Sequence, residues 1–87
     1  MVSVEISSEA LEDLNKIDPS VSRRIVAKII WLEQNFSEIL PDRLHYDLRE
    51  LYKLRVGDYR AIYSMRDNRI IVEAVQHRRD AYKQKLR

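Results

Sequence analysis

The chain has 87 residues, 45% hydrophobic and 34% charged, with 16 Lys+Arg against 14 Asp+Glu, a composition and length suited to one domain, 1–87, with a single modest core. It has no cysteine, which excludes disulfides, thiolate catalysis and cysteine-ligated zinc, and its two histidines, His45 and His77, give a metal site thin support. No apolar run approaches the roughly 18 residues of a membrane span and the N-terminus lacks a signal-peptide pattern, so a cytoplasmic location is the default.

Val2-Ser3-Val4-Glu5-Ile6 alternates with period two and reads as a short first strand. Ser7 or Ser8 suits the N-cap of a helix running to Ile17, with Leu11, Leu14 and Ile17 along one stripe. Asp18-Pro19 restarts the chain as a second cap and first helical residue. The helix that follows, Pro19 to Phe36, repeats apolar residues at Val21, Ile25, Ile29, Leu32 and Phe36, and Val26, Ile30 and Trp31 widen the stripe. Trp31 reads as a core residue. Residues 37–46, broken by Pro41, read as loop.

Strands are predicted over 50–56, 59–65 and 69–76, and a final helix over 79–86. Gly57-Asp58 is a Gly-X pair, the mark of a two-residue type II′ hairpin, and Asp67-Asn68 suits a second tight turn. The Gly57-Asp58 turn pairs Val56 with Tyr59, Arg55 with Arg60, Leu54 with Ala61 and Lys53 with Ile62. Opposed residues share a face, so Lys53, Arg55 and Arg60 fall on one side. Tyr52, Leu54, Val56, Tyr59, Ala61, Tyr63, Ile70, Val72 and Ala74 fall on the other, toward the helices, while Ile62, Ile71, Glu73 and Val75 join the cations. The architecture is therefore α+β: an N-terminal strand and a two-helix hairpin on a mainly antiparallel four-stranded sheet, with a short C-terminal helix.

Basic residues outnumber acidic ones from Arg49 onward, whereas acids dominate residues 1–48. Like charges opposed across a hairpin cost stability, so the cationic face points to an anionic partner such as nucleic acid. No Ser-His-Asp order, P-loop, dinucleotide fingerprint or HExxH helix appears. Arginine forks fit phosphate oxygens, and lysine, histidine and tyrosine can move protons. Such parts can cleave RNA without metal: a base takes the 2′-hydroxyl proton, cations stabilise the phosphorane, and an acid protonates the leaving 5′-oxygen. The same residues also fit structural roles. Lys53 and Arg55 could be a solvated strand face, Arg60 a partner of Glu73 or Asp58, His77 a strand end, and Tyr82 a packing residue.

The stretch Leu54-Arg55-Val56-Gly57-Asp58-Tyr59-Arg60, with the closing His77-Arg78-Arg79-Asp80-Ala81-Tyr82, resembles the RelE toxins of the RelE/ParE superfamily. The likeness extends over nearly the whole chain in length and element order. It implies a toxin of a type II toxin–antitoxin pair that enters the ribosomal A site and cuts mRNA, leaving a 2′,3′-cyclic phosphate, with no metal or cofactor. Its implied partners are a cognate antitoxin, the ribosome and mRNA, with no membrane. Lys53 falls at the family's first catalytic-strand lysine, and Arg60 at the phosphate-binding arginine. Arg78 matches the arginine after the last strand, and Tyr82 the tyrosine that stacks on substrate. Arg55, Arg60, Arg78 and Arg79 would join Lys53 in holding the substrate. Arg55 stands where the family carries a second lysine implicated as base. Arginine stays protonated, so the base falls to Lys53 among its neighbouring cations or to His77, histidine titrating near neutrality. The rival implied functions are a ParE-like inhibitor of DNA gyrase that cleaves nothing, and a non-toxic basic RNA- or protein-binding module.

Overall fold

The computed structural model describes residues 2–38, 42–43 and 51–79 of the chain. Strand β1 (Ser3–Ile6) leads into helices α1 (Ser8–Asn15) and α2 (Pro19–Asn35), and a single 3₁₀ turn follows at Phe36–Glu38. Strands β2 (Asp42–Arg43), β3 (Tyr52–Val56), β4 (Tyr59–Arg66) and β5 (Arg69–His77) complete the described elements. They form one sheet in the order β1-β5-β4-β3-β2, in which β1 joins β5 in parallel and every other pair is antiparallel. This is the anticipated α+β arrangement, with one addition. The two-residue β2 pairs Asp42 with Lys53 and Arg43 with Tyr52 inside a stretch that reads as loop, and two residues carry no alternation to read. The helix anticipated over 79–86, with Tyr82, lies outside the described residues.

Local chemistry starts both helices. Ser7 caps α1, its hydroxyl accepting from the Ala10 amide at 3.1 Å. Asp18 caps α2 by accepting from the Ser20 amide at 2.9 Å, with Pro19 at the first helical position. Their inner faces bring Ala10, Leu14, Ile25, Ile29 and Leu32 against Ala61, Tyr63, Ile70, Val72 and Val75 of the sheet. The apolar stripe of the helices is wider than the surface the sheet covers. Leu11, Ile30 and Trp31 are left 49%, 48% and 38% exposed, which corrects the reading of Trp31 as core. Lys28 lies over the Trp31 ring instead, its Nζ 3.8 Å from the centroid.

A second correction concerns the face assignments of β5. Ile62 pairs with Ala74 but Tyr63 pairs with Val72, so Glu73 is the extra residue of a β-bulge. Past the bulge the alternation flips. Ala74 therefore joins Leu51 and Ile62 in a small buried cluster on the face away from the helices, and Val75 enters the main core. Helix α1 satisfies the backbone groups that the bulge releases. The Ser7 hydroxyl donates to the Glu73 carbonyl at 3.1 Å, and the Val75 amide donates to Asp13 Oδ2 at 2.9 Å.

Candidate nucleic-acid interface

The site is built on the β3–β4 hairpin and the end of β5. Gly57 has φ +59 whereas Asp58 stays at negative φ, the pattern of a type II′ turn. The resulting register sets Lys53 opposite Ile62 and Arg55 opposite Arg60, as turn chemistry requires. Arg60 in turn lies opposite Gln76, so Arg55, Arg60 and Gln76 form one cross-strand row on the face away from the main core. Beyond the last rung of β4–β5, the Arg78 amide donates to the Asp58 carbonyl at 2.8 Å and carries the ladder one step further.

These elements enclose a cleft of about 270 Å³ lined by Arg55, Gly57, Asp58, Tyr59, Arg60, Arg78 and Arg79. Four arginines thus line one space in which, among the described residues, Asp58 is the one acid. Arg60 is 3% exposed, so its planar group is held by its surroundings, whereas Arg55, Arg78 and Arg79 are open to solvent. Removing a guanidinium from water is costly, which makes the burial of Arg60 here a specific feature. The Arg78–Arg79 turn is tied down twice. Besides the Asp58 carbonyl, the Arg79 amide donates to His77 Nδ1 at 3.2 Å. The His77 ring itself stands edge-on to Tyr59, with centroids 5.1 Å apart.

Of the residues singled out in the sequence, Arg55, Arg60, Arg78 and Arg79 are brought together. Lys53 shares their face but stands one row away beside Ile62, about 7 Å along the strand, and does not line the cleft. His77 lies opposite Tyr59, on the row that alternates away from Arg60, and its Nδ1 is engaged by Arg79. Tyr82 lies outside the described residues. Sequence reasoning did not assign Gly57, Asp58 and Tyr59 to the lining. Tyr59 is counted there as core, although it packs against the core and borders the cleft together. Asp58 is counted as a turn residue and a possible structural partner of Arg60, not as part of the site. Extending the hairpin and β5 registers by one rung would have found it, since that step sets Asp58 opposite Arg78. A fifth arginine also comes close: a methyl group on Gly57 would lie 3.8 Å from Arg24 Nη2 of α2.

The family model described as the ParE toxin of the type II toxin–antitoxin system, parDE, matches residues 4–82. The chain belongs to the ParE toxin family. Solved structures similar to this ParE-family chain include the RelBE2 toxin–antitoxin complex from Mycobacterium tuberculosis, with TM-score 0.75 and 23% identity over 87% of this chain and 96% of that one. The isolated RelE toxin of E. coli aligns with TM-score 0.71 and 18% identity over 95% and 97%. The archaeal RelE–RelB complex from Pyrococcus horikoshii OT3 aligns with TM-score 0.65 and 27% identity over 88% and 94%. No curated protein matches the sequence. The family model and the shared fold together make this ParE-family chain a toxin of the RelE/ParE superfamily.

Proposed function

We propose that this toxin is a metal-independent endoribonuclease that cuts mRNA in the ribosomal A site. The observation that carries the reading is the convergence of Arg55, Arg60, Arg78 and Arg79 on one cleft with, among the described residues, a single acid. Guanidinium forks match the oxygens of a phosphodiester and the added charge of its phosphorane, and their effect is largest where the donors are fixed in advance, as Arg60 is. In the step itself Lys53 takes the ribose 2′-hydroxyl proton, and the freed oxygen attacks the adjacent phosphorus. The bond from phosphorus to the 5′-oxygen breaks, leaving a 2′,3′-cyclic phosphate; Arg78 stabilises the negative charge on that departing oxygen, which takes its proton from water. DNA lacks the 2′-hydroxyl and is not a substrate. His77 holds the Arg78–Arg79 turn through its Nδ1, a positioning role its hydrogen bond favours over proton transfer. Tyr82 is assigned to stacking on the substrate by the family resemblance.

Four of the similar solved structures are toxin–antitoxin complexes, and a cognate antitoxin is proposed here as the partner that keeps the cleft from substrate. The site of action proposed is the cytoplasm, where translating ribosomes are found. The match to the ParE toxin model favours a second reading, inhibition of DNA gyrase with no cleavage. Purified toxin added to a translation reaction, followed by primer extension on the mRNA, separates the two. Cuts at A-site positions support the nuclease, and inhibited supercoiling without cuts supports the alternative. The Arg60→Lys variant keeps the charge but loses the fork, and should cut roughly a hundredfold more slowly than wild type. Unimpaired cutting by that variant would remove Arg60 from the site.

A further inference from the structure

Among the described residues, Asp58 is the single carboxylate in a lining that holds four arginines, and the fold ties it to Arg78 by two separable contacts. Its backbone carbonyl accepts the Arg78 amide at 2.8 Å. Its side-chain Oδ1 stands 3.8 Å from Arg78 Nε. The two groups are 67% and 70% exposed, so this ion pair is weak and screened by water, and a phosphate oxygen can compete for the same guanidinium. The carbonyl contact does not depend on the charge of the side chain. It delivers Arg78 to the cleft whether or not the carboxylate is paired.

Resting on the phosphodiester-binding reading of the cleft, we propose that Asp58 is the site's internal counter-anion. Its carboxylate partly offsets the charge of Arg78 in the free toxin and gives way when a phosphate group arrives, so it tunes how tightly the cleft holds a polyanion. Asp58 acts on the substrate through Arg78 and is a tuning residue rather than a catalytic one. Two features make the arrangement useful. Four converging arginines repel one another, and one carboxylate among them relieves that repulsion while the cleft is free. The same carboxylate weakens indiscriminate capture of nucleic acid, because any incoming phosphate must first displace it.

The test uses the full-length toxin with two probes, a 2′-O-methyl RNA oligonucleotide that cannot be cleaved and inorganic tripolyphosphate. The Asp58→Asn variant keeps a side chain suited to the turn and removes the charge. It should bind both probes about three- to tenfold more tightly than wild type at low salt, with the gain shrinking as salt is raised. Asp58→Glu, which retains the charge, should bind within about twofold of wild type by the same reckoning. In an Arg78→Gln background the gain from Asp58→Asn should largely disappear, because the carboxylate has lost its partner. A merely structural turn residue would not produce that coupling. Equal or weaker binding of tripolyphosphate by a natively folded Asp58→Asn variant overturns the proposal, as does a gain that persists without Arg78. Asp58→Ser serves as the same test should the Asn variant fail to fold. Tripolyphosphate binding that follows the predicted pattern while RNA does not bind would overturn the RNA reading and leave the counter-anion standing.

Discussion

Single residues carry the geometry of this site unequally, and Gly57 carries the most. It holds φ +59 at the first turn position, where a side chain is strained whatever the space around it. Among the described residues a methyl group there would meet only Arg24 Nη2, at an ordinary contact distance of 3.8 Å, so the cost of Gly57→Ala is conformational rather than steric. We expect a loss of about 1–2 kcal/mol in urea unfolding and weaker anion binding, since the turn sets the register of every cation on the hairpin. Unchanged stability would show that the turn relaxes into another type. His77 shows the limits of reading residue by residue. Its identity suggests a proton carrier, yet its ring nitrogen serves the backbone of Arg79.

Elements meet through a few polar contacts whose loss can be measured. Asp13 of α1 accepts the Val75 amide at 2.9 Å just past the bulge of β5, a part-buried bond between elements far apart in sequence. Asp13→Ala leaves that amide without its acceptor and should cost about 1–3 kcal/mol in chemical denaturation. Asp13→Asn keeps an acceptor and should lose less, which separates the hydrogen bond from simple truncation. At the start of α2, the Ser20 hydroxyl and then the Ser20 amide hold the exposed Asp18 carboxyl below its ordinary pKa. A depressed carboxylate contributes stability above its unfolded pKa and loses it as the pH falls through the folded value. Asn caps a helix without ionising. The melting temperature of wild type relative to Asp18→Asn should therefore fall on acidification from neutrality to about pH 3, below the unfolded Asp value. A constant difference would remove Asp18 ionisation from the stability of α2.

At the scale of the molecule, small net charge hides a strongly polarised surface. The chain carries only +2, yet four arginines gather in one cleft. Binding of single-stranded RNA should release counterions in proportion to the phosphates engaged, with a log–log salt slope of about −2 to −3 for three or four contacts. A slope near zero would place the RNA contact elsewhere. The hairpin register, both helix caps, both tight turns and the shared face of Lys53, Arg55 and Arg60 were legible in the residues themselves, because turn type, capping and period-two alternation are local properties. The bulge at Glu73 was not, since it depends on which partners β5 meets across β4 and α1, and its one-residue slip moved Ala74 and Val75 to opposite faces. The exposure of Trp31 was equally hidden, because the apolar pattern of a helix does not state how much of its stripe a sheet will cover. Only the closing of β5 against the hairpin tip brought Arg78 and Arg79 to Asp58 and Arg60, a meeting that depends on contacts distant in sequence and so on the tertiary fold.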